Sequence, residues 1–381
     1  MAQPDIIKTD VSHVDVLSAL LRIDDGSALA QLRVQRPEAT SHTQGSYEAL
    51  FAGTPATAVS RIERFAIAAR VSTLHQEPVV LDFYTALLRA TPGVSAQLIA
   101  DVLTGPDAAG LPARLRAILV HVDLLVIRPG AATPTDLQAL QAAGLSDAEI
   151  VTVSQLIAFV SYQIRVFIGL SLLRGDDRIP PARTIGPKDA TTSGFTQEQL
   201  GWSPWLVPFE AENATDKQRA ALPGQRLDSP YFRLLALDPA VLGERTATDM
   251  GIFYTHGGLP RADRELSAAV TSRVNGCIYC ASVHSRHAAQ LSKRPGDVQR
   301  VLDDGIDAEL DDRWRAVTDL AAALTVTPPA ATQAHLGRLR DLGLQELDIL
   351  DVIQAAAFFG WANRLMLTLG EPVRPAELVQ E

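Results

Sequence analysis

Cysteine is almost absent from this chain, with 2 in 381 residues. That scarcity excludes a disulfide-stapled scaffold and fits a reducing compartment, where a disulfide is transient. Runs of lysine and arginine are also missing, and the net charge is -10. Both argue against nucleic acid and anionic membrane surfaces as partners. Residues 1–16 hold no apolar signal core, and no stretch is expected to approach membrane-spanning length. A cytoplasmic protein is the expectation. Aromatic residues make up only 6% of a chain rich in alanine and leucine, which favours helices over sheets. The hydrophobic fraction is 47%, ample for buried cores, and the length suggests two domains.

The two cysteines stand together, as Cys277 and Cys280, in a stretch running from Glu265 to His287. Asn275-Gly276 interrupts one helical pattern and places Cys277 near the start of the next helix. At helical pitch, Cys277, Cys280, His284 and His287 fall within an arc of about 80°. A helix N-terminus and a nearby imidazole both favour the reactive thiolate. Cysteines three apart on one turn close a short disulfide with little backbone movement. A sulfenic acid formed on one is then trapped by the other before further oxidation. His284, one turn beyond Cys280, is the candidate base. Glu265, on the preceding helix, is the candidate carboxylate that orients it. Two other readings stay open on these residues. The thiols belong to a buried stripe that continues through Ala281, Ala288 and Leu291, or Cys277, Cys280, His284 and His287 ligate zinc. Four ligands so close on one helix surround a tetrahedral ion poorly. A thioredoxin-like fold needs strands around the motif, and none are evident.

The pattern Glu265-x11-Cys277-x2-Cys280-x3-His284 resembles the signature of the alkylhydroperoxidase D branch of the carboxymuconolactone decarboxylase family. The segments Trp202-Ser203-Pro204-Trp205-Leu206 and Ser229-Pro230-Tyr231-Phe232-Arg233 also resemble longer, peroxidase-related members. The resemblance covers roughly residues 195–370. It implies an all-helical fold, a peroxidatic role for Cys280, a resolving role for Cys277, and a proton relay through His284 and Glu265. In some members a histidine between the cysteines joins the relay; here that position is Tyr279. The resemblance implies no bound cofactor and no metal, only an external thiol or dithiol donor protein. It also implies an organic hydroperoxide as substrate and a homo-oligomeric assembly.

Helical patterns cover most of the chain. Ser41–Ser46 reads as loop, and Ser146 and Glu149 read as a reciprocal cap opening a long helix. Pro260 is well placed as a first helical residue. Gly175 to Gly194 is the clearest linker, with Pro180-Pro181, Gly186-Pro187 and Thr191-Thr192 inside it. The order of patterns repeats. Arg114, Pro129, Gln155, Phe159 and Arg165 echo Arg313, Pro328, Gln354, Phe358 and Arg364, each pair separated by the same number of residues. Two tandem homologous all-α domains are expected, 1–174 and 195–381, with 175–194 between them. Aligning Glu63 with Glu265 sets His75 and Pro78 at the cysteine positions and Asp82 at the histidine position. Aligning Arg70-Val71 with Arg273-Val274 sets Leu74, Glu77 and Leu81 there instead. Neither register holds a thiol, so Glu63, His75, Glu77 and Asp82 read as ordinary polar residues at a helix boundary.

The expected function is a thiol-dependent peroxidase built on Cys280, Cys277, His284 and Glu265. Tyr279, His287, His256 and Asn363 are weaker candidates for residues that flank the site or touch substrate, and Arg364 is read as structural. A thiol–disulfide oxidoreductase and a helical assembly protein with sensory thiols are the alternatives.

Overall fold

A computed structural model describes residues 15–52, 58–185, 193–222 and 224–374. The leader 1–14 and the Gly186-Pro187 and Thr191-Thr192 parts of the expected linker lie outside them. The protein is all-α. The first half runs through α1 (Val16–Leu21), α2 (Ala28–Val34), α3 (Pro37–Tyr47), α4 (Arg61–Leu74), α5 (Pro78–Arg89), α6 (Ala96–Thr104), α7 (Ala113–Ile127), α8 (Pro134–Ala142) and α9 (Asp147–Arg174). The second half runs through α10 (Asp216–Ala221), α11 (Pro230–Leu235), α12 (Pro239–Phe253), α13 (Arg261–Asn275), α14 (Ile278–Ser292), α15 (Pro295–Asp304), α16 (Asp312–Thr325), α17 (Gln333–Asp341) and α18 (Glu346–Thr368). A single antiparallel ribbon joins β1 (Gly201–Pro204) to β2 (Gly370–Val373), among the described residues.

Local chemistry sets the helix limits. Ser146 caps α9, and the Glu149 carboxylate returns to the Ser146 N–H at 2.8 Å. Gln345 and Asp348 do the same for α18. Proline opens α3, α5, α8, α11, α12 and α15, where its missing N–H costs nothing. Pro260 stands one place earlier than expected, as the cap before α13.

The expectation of a loop at Ser41–Ser46 is corrected, because these residues form the body of α3. Thr43 and Ser46 donate their hydroxyls to the carbonyls of Ala39 and His42 one turn back, so they do not compete with the helix. The helix is fixed by packing on α12. There Gly45 meets Glu244, and Gly251 meets the Ala39 backbone, closer than a side chain would permit.

The two halves meet along α9 against α18 and α3 against α12. The bonds across this seam come in matched pairs. Arg165 donates to the Thr325 carbonyl at 2.7 Å, and Arg364 to the Val126 carbonyl at 3.2 Å. Arg36 forms a two-pronged pair with Asp351 at 2.7 and 2.8 Å, while Asp238 accepts from Thr152 at 2.8 Å. Arg165 and Arg364, Val126 and Thr325, and Thr152 and Asp351 are each separated by one common spacing, and Arg36 and Asp238 by one three residues longer, so an approximate two-fold axis runs through the seam.

The helix α9 corrects another expectation. With 28 residues and a mean hydropathy of 1.8 it is long and apolar enough to cross a membrane. Of its most apolar window, 89% is buried inside the protein, which accounts for that composition. Past Gly175, Arg178 pairs with Glu77, and Ile185 bridges Thr327. The segment after α9 is therefore tied to both halves.

Candidate active site

The corner between α13 and α14 carries the thiols. Gly276 ends α13 with a positive φ of 80°, a conformation that suits glycine. The Cys277 N–H then closes on the Ser272 carbonyl at 2.8 Å, and Cys277 becomes the residue that precedes α14. Cys280 follows in the first turn of that helix, where the helix dipole favours an anion. Both cysteines are free thiols, exposed by only 2% and 6%.

His284 stands one turn further along α14. Its Nδ1 is 2.6 Å from Oε2 of Glu265, which is buried on α13. A carboxylate only accepts, so Nδ1 carries the proton and Nε2 is left as the acceptor. Arg261 holds the other Glu265 oxygen at 3.1 Å. Phe359 of α18 sets its ring edge on the imidazole, centroids 4.1 Å apart, and Phe253 approaches from α12.

Burial opposes charge on all of these groups, yet it does not win on each. Burial works against the His284 cation, but the hydrogen bond to Glu265 and the charges of Glu265, Cys280 and Asp249 outweigh it and raise its pKa. Burial likewise opposes the Glu265 carboxylate, and the bond and charge of His284 hold it below the usual range. Burial and the hydrogen bond with Cys280 push the Cys277 thiol well up. Cys280 is also opposed by burial, but the Cys277 hydrogen bond, His284, Asn363 and Arg245 bring it below an ordinary thiol. Of the two, Cys280 is thus the sulfur whose thiolate the surroundings favour.

Cys280 and His284 line a cavity of ≈ 270 Å³ walled by Trp202, Tyr231, Phe232, Phe358, Phe359 and Met366. Tyr279 also lines it, half-buried. Asn363 lies behind the thiols. Its amide donates to Ser272 at 3.0 Å and accepts from Asn275 at 3.0 Å, and its proximity favours the thiolate form of both cysteines. The ring of His287 lies 6.3 Å from that of His284 and outside the cavity lining. His256 does not reach the cleft: its side chain is exposed in the loop after α12, and its carbonyl accepts from Arg36. Arg364 spends its guanidinium on backbone carbonyls of both halves. Among the described residues no three His, Cys, Asp or Glu side chains converge as a metal-ligand set.

Residues 239–323, which span the α12 to α16 helices, match the carboxymuconolactone decarboxylase family. This segment is similar to that family's domain. No curated protein matches the chain. The domain supports a general alkylhydroperoxidase-like, peroxidase-related reading of the thiol corner.

Two residues of this domain escape motif reasoning. Arg245 and Asp249, one turn apart on α12, both line the cavity. The Arg245 guanidinium lies over the rings of Phe358, Trp361 and Tyr231 at 5.1, 5.8 and 6.0 Å and places a buried positive charge near Cys280. Burial raises the Asp249 pKa against the pull of Arg245, His284 and Arg226. Polar residues four apart on α12 were the available signal.

The same corner in the first half corrects both sequence registers. Gln76 takes a positive φ of 53° where Gly276 takes 80°. The Glu77 N–H closes on the Ser72 carbonyl as Cys277 does on Ser272. Glu77 and Val80 therefore occupy the cysteine positions, Tyr84 that of His284 and Phe65 that of Glu265. The misleading likeness was Arg70 to Arg273. These side chains start from neighbouring turns yet reach equivalent carbonyls, Leu103 at 2.7 Å and Leu302 at 2.9 Å. Glu63 caps α4 and pairs with Arg114, and Asp82 is exposed. His75 is buried beside Ser161 and Arg165, and burial with three arginines drives its pKa well down.

Proposed function

We propose that the protein is a thiol-dependent peroxidase that reduces organic hydroperoxides through Cys280 and Cys277. The observation that supports this reading most directly is the shared cavity of Cys280 and His284, with His284 held by Glu265. The Cys280 thiolate attacks the hydroxyl oxygen of the hydroperoxide and the O–O bond breaks. The leaving alkoxide takes a proton from the His284 imidazolium and departs as an alcohol, and Cys280 becomes a sulfenic acid. His284 then takes the Cys277 proton, and the Cys277 sulfur attacks that of Cys280. Hydroxide leaves with the same proton as water. One hydroperoxide and two thiols become one disulfide, one alcohol and one water. An external thiol or dithiol donor returns two electrons and two protons. Glu265 neutralises the imidazolium, and Arg245 faces the anions that form near Cys280.

The burial of both sulfurs favours a small substrate entering the cavity over a folded protein disulfide. In this reading residues 1–174 form a cysteine-free scaffold domain, 195–381 the catalytic domain, and whole chains associate into a homo-oligomer. The test is turnover of cumene hydroperoxide with a dithiol reductant, together with a sulfenic-acid probe on Cys277→Ser. Label on Cys280 supports the assignment. Label on Cys277 alone in Cys280→Ser reverses it, and absence of both turnover and label ends the peroxidase reading.

A further inference from the structure

A second, larger cavity adjoins the thiol cavity. Its volume is ≈ 990 Å³, against ≈ 270 Å³ for the inner one. Its walls come from α12, α10 and the start of α3, and they are mostly apolar or small: Ala220, Ala221, Gly243, Ala247 and Met250. The Arg36 guanidinium at its edge is already held by Asp351, and Glu38 stands beside it. Ser229 and Phe232 line both cavities, so they form the partition between them. The Phe232 ring is held by the Arg226 guanidinium, 5.2 Å from its centroid. Arg226 itself lines the outer cavity and lies 3.9 Å from Asp249, a residue of the inner one. Phe232 is therefore all that stands, with Ser229, between the thiol cavity and a roomy apolar space.

We infer that the outer cavity is the binding site for the apolar body of the substrate, and that the substrate class is an organic hydroperoxide with a long alkyl chain. This rests on the peroxidase reading. The inner cavity accommodates only a compact hydroperoxide, and hydrogen peroxide gains nothing from the outer one. An alkyl chain reaching past Phe232 buries apolar surface against α12, and each buried methylene is worth about a fourfold gain in binding. The outer volume lies at the upper end of the range of about 300–1,000 Å³ found for small-molecule sites. The first half contributes through Pro37 and Glu38 of α3, so the substrate body touches both halves of the chain.

Gly243 offers a clean test. A Cβ built there meets nothing within 4 Å, so a side chain starts from this wall of the cavity without a clash at its first atom. The experiment compares decyl hydroperoxide with tert-butyl hydroperoxide for the full-length chain and for Gly243→Phe. The wild type should prefer decyl hydroperoxide in kcat/KM by at least about tenfold. Gly243→Phe should lower that preference by at least about tenfold, through KM. Ala247→Leu, one turn further on, fills the same space if Gly243→Phe does not fold. An unchanged preference in folded variants overturns the inference. A second arm measures the thermal midpoint with 1-decanol, which cannot react. A rise in the wild type that is lost in the filled variant supports the site, and no rise in the wild type overturns it. If the wild type reduces neither hydroperoxide, the peroxidase reading fails, and the 1-decanol arm alone decides the cavity.

Discussion

The α4–α5 corner and the α13–α14 corner share a backbone and differ in what it carries. Each ends a helix on a left-handed residue and closes the next N–H on an equivalent serine carbonyl. In the second half the four equivalent positions hold two thiols, an imidazole and a carboxylate. In the first they hold Glu77, Val80, Tyr84 and Phe65. Glu77 pairs with Arg178, Tyr84 bonds Gln163 at 2.5 Å, and Val80 and Phe65 are core. The backbone corner alone therefore does not supply the residues of the proposed redox site. Reactivity needs the thiols together with a charged pair, which burial alone would discharge and mutual contact preserves.

The largest break in the comparison is removal of Cys280. Cys280→Ser should abolish steady-state peroxide turnover, measured with any dithiol reductant, because no other thiol lies at the cavity. Residual turnover above background would assign the peroxidatic sulfur elsewhere.

His284→Ala should come next, lowering turnover by about 10²–10⁴-fold, the usual worth of a positioned general acid–base. Glu265→Gln should cost less, and the double variant little more than His284→Ala, since the two act as one unit. Fully additive losses would separate them.

The seam between the halves should show in stability. Arg36→Ala leaves the buried Asp351 carboxylate short of its main partner and should cost about 3–5 kcal/mol in denaturant unfolding. A chain of residues 190–381 alone exposes the faces of α12 and α18 and should aggregate or assemble wrongly in light scattering. A stable, fully active monomer would show that the first half is not needed as a scaffold.

The pH dependence sharpens the contrast between the corners. His284 is raised, so its stabilising share is complete below the ordinary imidazole value of 6.5 and fades as pH rises through its folded value. Glu265 is lowered, so its share is complete above the ordinary carboxylate value of 4.5 and fades as pH falls through its folded value. The pair thus contributes most between those ordinary values. Thermal midpoints measured against pH should lose that contribution in His284→Ala. Thiolate absorbance should show Cys280 titrating below an ordinary thiol, and His284→Ala should move it up.

The smallest effect belongs to the first half. Asp82→Asn is exposed and should leave both kcat/KM and stability unchanged. A marked loss of turnover would reveal a site there.

Most helices were legible because their caps, prolines and apolar periods act locally. So was the grouping of Cys277, Cys280, His284 and Glu265, because one helix turn and one facing helix set it. Three things were hidden. The α3 helix has hydroxyl-rich residues whose local preference gives way to packing on α12. Arg245 and Asp249 carry no motif, and only the fold of α11 and α18 around them makes their surroundings buried. The true register of the repeat depended on Gln76 taking a conformation more usual for glycine.

Trp361 donates to Gln155 at 2.8 Å across the seam, while its counterpart Tyr162 turns instead to Thr43 at 2.6 Å. An assembly of identical subunits cannot hold such a contact on one side only, since every mutation appears twice about its axis. A single gene for both halves removes that constraint. The halves are then free to diverge, as where the second sets a bulky Phe359 over His284 and the first has Val160. Under the proposed function, the covalent tie turns a symmetric pairing into a division of labour, with one dithiol centre for every two halves.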